Sequence, residues 1–107
     1  MQDKVLSLLG LAAKAGRIKS GEWAAENAIK SENAFLVIIA EDASENTKKH
    51  FSDMCSFRGI PIYVYGSMDE LGRCIGKGSR ASIALTDEGF SKGLITGLQE
   101  VSVHEGI

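Results

Sequence analysis

The stretch Phe35-Leu-Val-Ile-Ile-Ala40 is six consecutive apolar residues, and it breaks at once into Glu41, Asp42 and Ser44. A run so short and uninterrupted reads as a strand covered on both faces, because a half-exposed strand would alternate apolar with polar. It predicts a mostly parallel sheet, its strand spanning 34–40, with helices on both sides. The polar break sets a chain reversal and a helix start at the strand's carboxyl end, where open α/β sheets usually hold ligands. The question it raises is whether function sits at Asp42 and Ser44 or elsewhere on the scaffold this strand supports.

Around that strand the chain alternates. Val5, Leu8, Leu9 and Ala12 recur at helical spacing within residues 2–15, and Gly16 follows as a stop. Arg17-Ile-Lys19 is a short extended link. Ser20 offers a cap for a second helix to about Ser31, with Glu22 in its first turn, Ala25, Ala28 and Ile29 on its inner stripe, and Trp23, Asn27 and Lys30 on another side. Ser44 caps a third helix that buries Phe51, Met54 and Cys55 and stops at Gly59. Pro61 is tolerated at the start of a strand over 62–65. Ser67 and Glu70 make a capping box for a short helix burying Met68, Leu71 and Ile75. Gly76-Lys-Gly-Ser-Arg80 is a loop by composition. A strand over 81–86 follows, and then a helix from Asp87 or Glu88 carrying Phe90, Leu94, Ile95 and Leu98. Gly93 and Gly97 weaken that helix by about 1 kcal/mol each relative to Ala. Residues 99–107 read as a loose acidic tail. The pattern predicts an α/β fold, a three-layer α/β/α sandwich around one small sheet, over 1–107 as a single domain.

Composition narrows the function classes. The formal net charge of −2, with both signs interspersed, gives no global polyanion-binding signal, so a nucleic-acid site has to be a local basic patch. No apolar run reaches the roughly 20 residues of a membrane span, and Met1-Gln-Asp-Lys4 lacks the pattern of a secretory leader. The two cysteines, Cys55 and Cys74, are isolated, as expected in a reducing cytoplasm.

Spacing sets several chemistries aside. Gly72-Arg-Cys-Ile-Gly-Lys77-Gly has three residues between its first two glycines where a P-loop has four, and no Ser or Thr follows Lys77. The 76–81 segment leads into a strand, so no helix start faces a phosphate there. His50 and His104 have no partners at metal-ligand spacing. Cys55 falls on a buried helix face, where packing outweighs nucleophilic use. Asp42 and Ser44 are better explained as helix caps than as a reactive pair. No cofactor, metal or catalytic group is expected. What remains is basic and local: Lys14, Arg17, Lys19 and Lys30 around the second helix, and Lys77 and Arg80 in the glycine loop. Such loops bring backbone N–H groups and long cations close to phosphates.

One combination of segments is familiar. Leu8-Leu-Gly-Leu-Ala-Ala-Lys-Ala-Gly16, Ser20-Gly21-Glu22, the run Leu36 to Thr47, Ile60-Pro61, Glu70-Leu-Gly72, Ile75-Gly-Lys77, Arg80 and Thr86-Asp-Glu-Gly-Phe90 occur in that order. Over roughly residues 2–96 the chain resembles the kink-turn RNA-binding ribosomal-protein family of the archaeal large subunit, most closely its bacterial YlxQ-type branch. The resemblance implies a four-stranded mixed sheet and RNA binding without catalysis. It also implies contacts from the start of the second helix, at Lys19, Gly21, Glu22, Trp23, Asn27 and Lys30, and from the loop residues Gly76, Lys77, Gly78, Ser79 and Arg80. Ser44 and Lys48 correspond to a third, weaker contact region. Trp23 has two readings, as a half-buried packing residue or as a stacking platform for an unpaired base. The expected function is a cytoplasmic RNA-binding protein whose partners are ribosomal or other structured RNA and the ribosome, with no membrane. The alternatives are a protein-interaction module anchored by Trp23 and, third, a small-ligand role at Asp42 and Ser44.

Overall fold

Leu36, Val37, Ile38 and Ile39 are each 0 % exposed, so the opening run is a strand walled on both faces. Fully burying such a side chain contributes about 1.5–3 kcal/mol, which makes this strand the natural spine of the core. The computed structural model describes residues 3–105, with side chains for residues 3–101. In chain order the elements are α1 (Lys4–Lys14), β1 (Ile18–Ser20), α2 (Glu22–Lys30), β2 (Leu36–Ile39), α3 (Glu45–Arg58), β3 (Ile62–Val64), α4 (Met68–Cys74), β4 (Ser82–Leu85) and α5 (Glu88–Glu105).

The sheet is four-stranded and mixed, in the order β1-β4-β2-β3. Only β2 and β3 run parallel, with Val37 opposite Ile62, while β4 lies antiparallel to both β1 and β2. This corrects the expectation of a mostly parallel sheet. A continuous apolar run reports burial on both faces, and β4, read as Ser-Ile-Ala-Leu, is just as buried in antiparallel pairing. Helices α2 and α3 touch each other and α2 covers β1 and β4, whereas α1, α4 and α5 pack together in the other layer. The architecture is an α/β/α sandwich.

Three helix-level expectations change. Ser20 belongs to β1, and the N-cap of α2 is Gly21, at φ 93° and ψ 160° with no capping side chain. Gly93 and Gly97 are close-approach positions: a Cβ would stand 3.0 Å from Leu8 Cδ2 at the first and 3.2 Å from Val5 Cγ2 at the second. The helix propensity they forgo is offset by the approach of α1 and α5. Finally, α5 continues to Glu105, which replaces the loose tail over 99–105, while 106–107 lie outside the described residues. Leu94 and Leu98, both buried, hold its inner face through the glycines, and no Pro or Gly interrupts 98–105.

Candidate nucleic-acid interface

The strand directions gather the carboxyl ends of β1, β2 and β3 and the amino end of β4 at one edge of the sheet. Three helices therefore start at that edge, each carrying the partial positive charge of its unpaired first-turn N–H groups. Two of the starts are capped by side chains. Ser44 Oγ accepts from Thr47 N–H at 3.1 Å at the head of α3. At the head of α4, Ser67 Oγ accepts from Glu70 N–H, the Glu70 carboxylate accepts from Ser67 N–H, and Asp42 Oδ1 accepts from Met68 N–H at 2.8 Å. Asp42 thus serves α4, the next helix along, and not α3. The third start is open. Gly21 contributes no side chain, its own N–H is spent on the Ser82 carbonyl, and the N–H groups of Glu22, Trp23 and Ala24 have no intrahelical acceptor.

Gly21 is a backbone requirement. Its φ lies where only glycine sits without strain, and the space beyond its Cα is empty to 4 Å. The position therefore offers an approach to the backbone that any side chain would obstruct.

The glycine loop is held against this open helix start by two devices. The first is Gly72, inside α4, where a Cβ would fall 2.0 Å from the Gly78 carbonyl oxygen. The loop lies directly on the helix there, and Lys77 N–H donates to the Gly72 carbonyl at 2.8 Å. The second is Arg80. Its Nε donates to Ser20 Oγ at 3.1 Å, and its Nη1 donates to the carbonyls of Gly78 and Ser79 at 3.2 and 3.0 Å. The guanidinium is fixed in one pose across sixty residues of sequence, between the loop and the residue before Gly21. A fixed planar fork loses less entropy on gripping a phosphate than a free side chain does. Ser79 Oγ is tied to Asp69.

Beside the open start, a groove of 310 Å³ runs along α2 over the edge strand, with Lys19, Trp23, Asn27, Ser31, Asn33 and Thr86 among its walls. Trp23 is 80 % exposed, which settles its two readings against core packing.

The expected site residues divide accordingly. Gly21, Glu22, Trp23, Asn27 and Lys19 share the α2 start and its groove, and Gly76, Lys77, Gly78, Ser79 and Arg80 form the adjoining loop. Lys30 is diverted: its Nζ pairs with Glu26 at 2.8 Å, and the same carboxylate meets His50 of α3 at 2.7 Å. These contacts hold the Glu26 carboxyl below its ordinary range, His50 contributing most and Lys30 next. Ser44 and Lys48 stand at the same edge but are engaged, Ser44 as a cap and Lys48 with Glu45 at 3.5 Å. Arg17 and Lys14 belong to the opposite end of the sheet, where Arg17 faces Asp87 at 4.0 Å.

Burial pushes both thiols up, Cys55 to about 11 and Cys74 to about 11, so neither is a thiolate near neutrality. Among the described residues no group of three or more His, Cys, Asp or Glu is placed to hold a metal ion, and no helix is long and apolar enough to cross a membrane. The side chain of His104 lies outside the described residues. Sequence reasoning missed Ser20 as the support of Arg80, and Gly72 as the seat of the loop. A glycine inside a helix was the available signal for Gly72; nothing local announces Ser20.

Comparison with known proteins adds independent findings. The family model described as the ribosomal protein L7Ae/L30e/S12e/Gadd45 family matches residues 3–101. An RNA-binding protein YlxQ of Bacillus subtilis is 43% identical over 89 residues, covering 83% of this chain and 89% of that protein. An RNA-binding protein YlxQ of Enterococcus faecium is 38% identical over 91 residues, covering 85% and 87%. A solved structure of a Bacillus halodurans protein of unknown function superposes with a TM-score of 0.89 at 41% identity, over 92% of this chain and 99% of that one. A Giardia lamblia 15.5kD RNA binding protein shares the fold, with a TM-score of 0.77 at 24% identity, over 94% and 86%.

Proposed function

The chain belongs to the ribosomal protein L7Ae/L30e/S12e/Gadd45 family, and from that membership we propose that it is a non-enzymatic, cytoplasmic RNA-binding protein. Its proposed partners are structured RNA of the kink-turn kind and, through that RNA, the ribosome or the translation machinery. Residues 1–107 act as a single RNA-binding domain. The observation that carries the reading is the bond from Arg80 Nε to Ser20 Oγ, 3.1 Å, which joins the glycine loop to the uncapped start of α2. Phosphate oxygens meet there a backbone with free N–H groups, a fixed guanidinium, and the exposed cations Lys19 and Lys77. The names of the two bacterial relatives, both RNA-binding proteins, support the same partner class. Ser44 and Lys48 form a flanking contact.

The reading is tested by titrating the protein against a kink-turn RNA and against the same RNA with its sheared G·A pairs replaced. The proposal expects tighter binding to the intact kink-turn. Equal affinity for both rejects kink-turn recognition. A second reading, a protein-interaction module anchored by Trp23, draws on the 80 % exposure of that ring. Replacing Lys77 and Arg80 together by Ala discriminates, because RNA binding requires a large loss and a protein interface centred on Trp23 requires little.

A further inference from the structure

We propose that the groove along α2 is a pocket for one unpaired nucleotide, its base stacked on Trp23 and its edge held by the polar side chains lining the groove. The inference rests on the RNA-binding reading and extends that interface along α2, from the Gly21–Arg80 contact into the groove lined by Lys19, Trp23 and Asn27. Four features of the groove point to this occupant. The indole of Trp23 is 80 % exposed, although a ring of this size is normally mostly covered. Lys19, exposed and in no ion pair among the described residues, supplies a cation in the same groove for the nucleotide's phosphate. The floor is organised for hydrogen bonding: Asn33 Nδ2 donates to Ser31 Oγ at 3.0 Å, and Ser31 Oγ donates to the Ala28 carbonyl at 3.3 Å. That chain fixes the Asn33 amide and leaves its carbonyl oxygen as an acceptor, with the Asn27 amide and the Thr86 hydroxyl also on the lining. Finally, the volume of 310 Å³ stands at the lower end of the ~300–1,000 Å³ of small-molecule sites, in keeping with one nucleoside and not with a helix.

Single-stranded bases are recognised by this combination of an aromatic face, polar groups for the base edge and a cation for the backbone. A duplex presents its bases already stacked, so this groove takes a nucleotide that leaves the helix. The amides favour a purine with adjacent donor and acceptor, adenine above all.

Trp23 is the chain's single tryptophan, so its fluorescence reports the pocket directly. The test titrates the protein with hexa-adenylate and with a hexamer of the same phosphates carrying abasic sugars, following indole emission and the anisotropy of labelled oligonucleotides. Saturable quenching by hexa-adenylate, with little by the abasic hexamer, is the expected result. Trp23→Ala should weaken hexa-adenylate binding about 5- to 150-fold, equivalent to the ~1–3 kcal/mol of a base–aromatic stack. Trp23→Phe, which keeps a ring, should retain most of the affinity, and Asn33→Ala should reduce it with the ring intact. Circular dichroism should be unchanged, since the ring is mostly outside the core. Equal responses to both hexamers, or binding without quenching, overturn the pocket. So does the absence of saturable quenching up to millimolar hexa-adenylate. The two readings fail separately: loss of discrimination between kink-turn and altered RNA, with base-dependent quenching intact, removes the proposed function and leaves the pocket standing.

Discussion

Helices α2, α3 and α4 begin at one edge of the same sheet, yet α3 and α4 are closed by side chains and α2 is not. The capped pair spend Ser44, Ser67, Glu70 and Asp42 on the N–H groups of Thr47, Glu70, Ser67 and Met68, which stabilises the fold and removes those four from any ligand. The open one, with Gly21 as its cap, forgoes roughly a few tenths of a kcal/mol of capping and keeps its N–H groups available. It also adopts a backbone angle that only glycine tolerates and has Arg80 fixed next to it. The difference teaches where a charged ligand can bind: all three starts have the dipole, and of the three only α2 begins without a capping side chain in the way of its first-turn N–H groups.

The largest expected effect follows from removing the fixed cation. Arg80→Ala takes away the guanidinium, with the N–H donors not spent on Ser20, Gly78 and Ser79, and should weaken RNA binding by about 10- to 150-fold, the ~1.5–3 kcal/mol of a hydrogen bond to a charged group. Arg80→Lys should rescue little, because an ammonium cannot hold Ser20 and two carbonyls while gripping a phosphate. Affinity unchanged in Arg80→Ala would remove the open edge from the site.

Gly72→Ala comes next. The added methyl would collide with the Gly78 carbonyl, so the loop must lift from α4, at a cost of about 1–3 kcal/mol as overpacking. Thermal melting and RNA titration on the same variant should both decline. A normal affinity in a destabilised protein would show that the loop's seat does not matter to binding.

The capping contrast itself is sharpened by a pair of variants. Ser67→Ala, at the α4 cap, should cost about 1 kcal/mol in chemical denaturation and leave RNA affinity within twofold. Gly21→Ala should cost about 1–3 kcal/mol from its backbone angle alone, and should also weaken RNA binding. If both variants lose affinity equally, the distinction between closed and open starts fails.

The smallest effect concerns the link between α2 and α3. Glu26 has its carboxyl lowered by His50 first and Lys30 second, so the link stabilises above the ordinary carboxylate range and is lost as pH falls through the folded-state value. Melting curves of Glu26→Gln and the unaltered protein should differ slightly near neutral pH and converge on strong acidification. Convergence on the alkaline side would reverse the assignment. The group is exposed, so the gap should be small.

Much of this was readable from residues whose roles are local. The Leu36–Ile39 run, the Ser67–Glu70 box, the Ser44 cap and the stop at Gly59, with φ 69°, each carry their signal within a few positions. Ser20 does not. Ser-Gly-Glu reads as a cap, but pairing of β1 with β4 draws Ser20 into the sheet and gives its hydroxyl to an arginine distant in sequence. Gly93 and Gly97 likewise look like weak points until Leu8 and Val5 are seen against them. Strand direction was lost for a similar reason, since burial on both faces leaves the same pattern in either orientation. At the interface, the basic loop and the α2 start were legible as separate segments. Their junction, the engagement of Lys30 by Glu26 and the exposure of Trp23 depend on packing across the chain.

The most direct test of the shared edge is the salt dependence of kink-turn RNA binding in the unaltered protein and in the Lys77→Ala/Arg80→Ala variant. If these side chains neutralise phosphates beside the open start of α2, the variant binds more weakly, and its plot of log affinity against log salt is shallower by about 2, near one for each lost contact. The same affinity and the same slope in both proteins would contradict it.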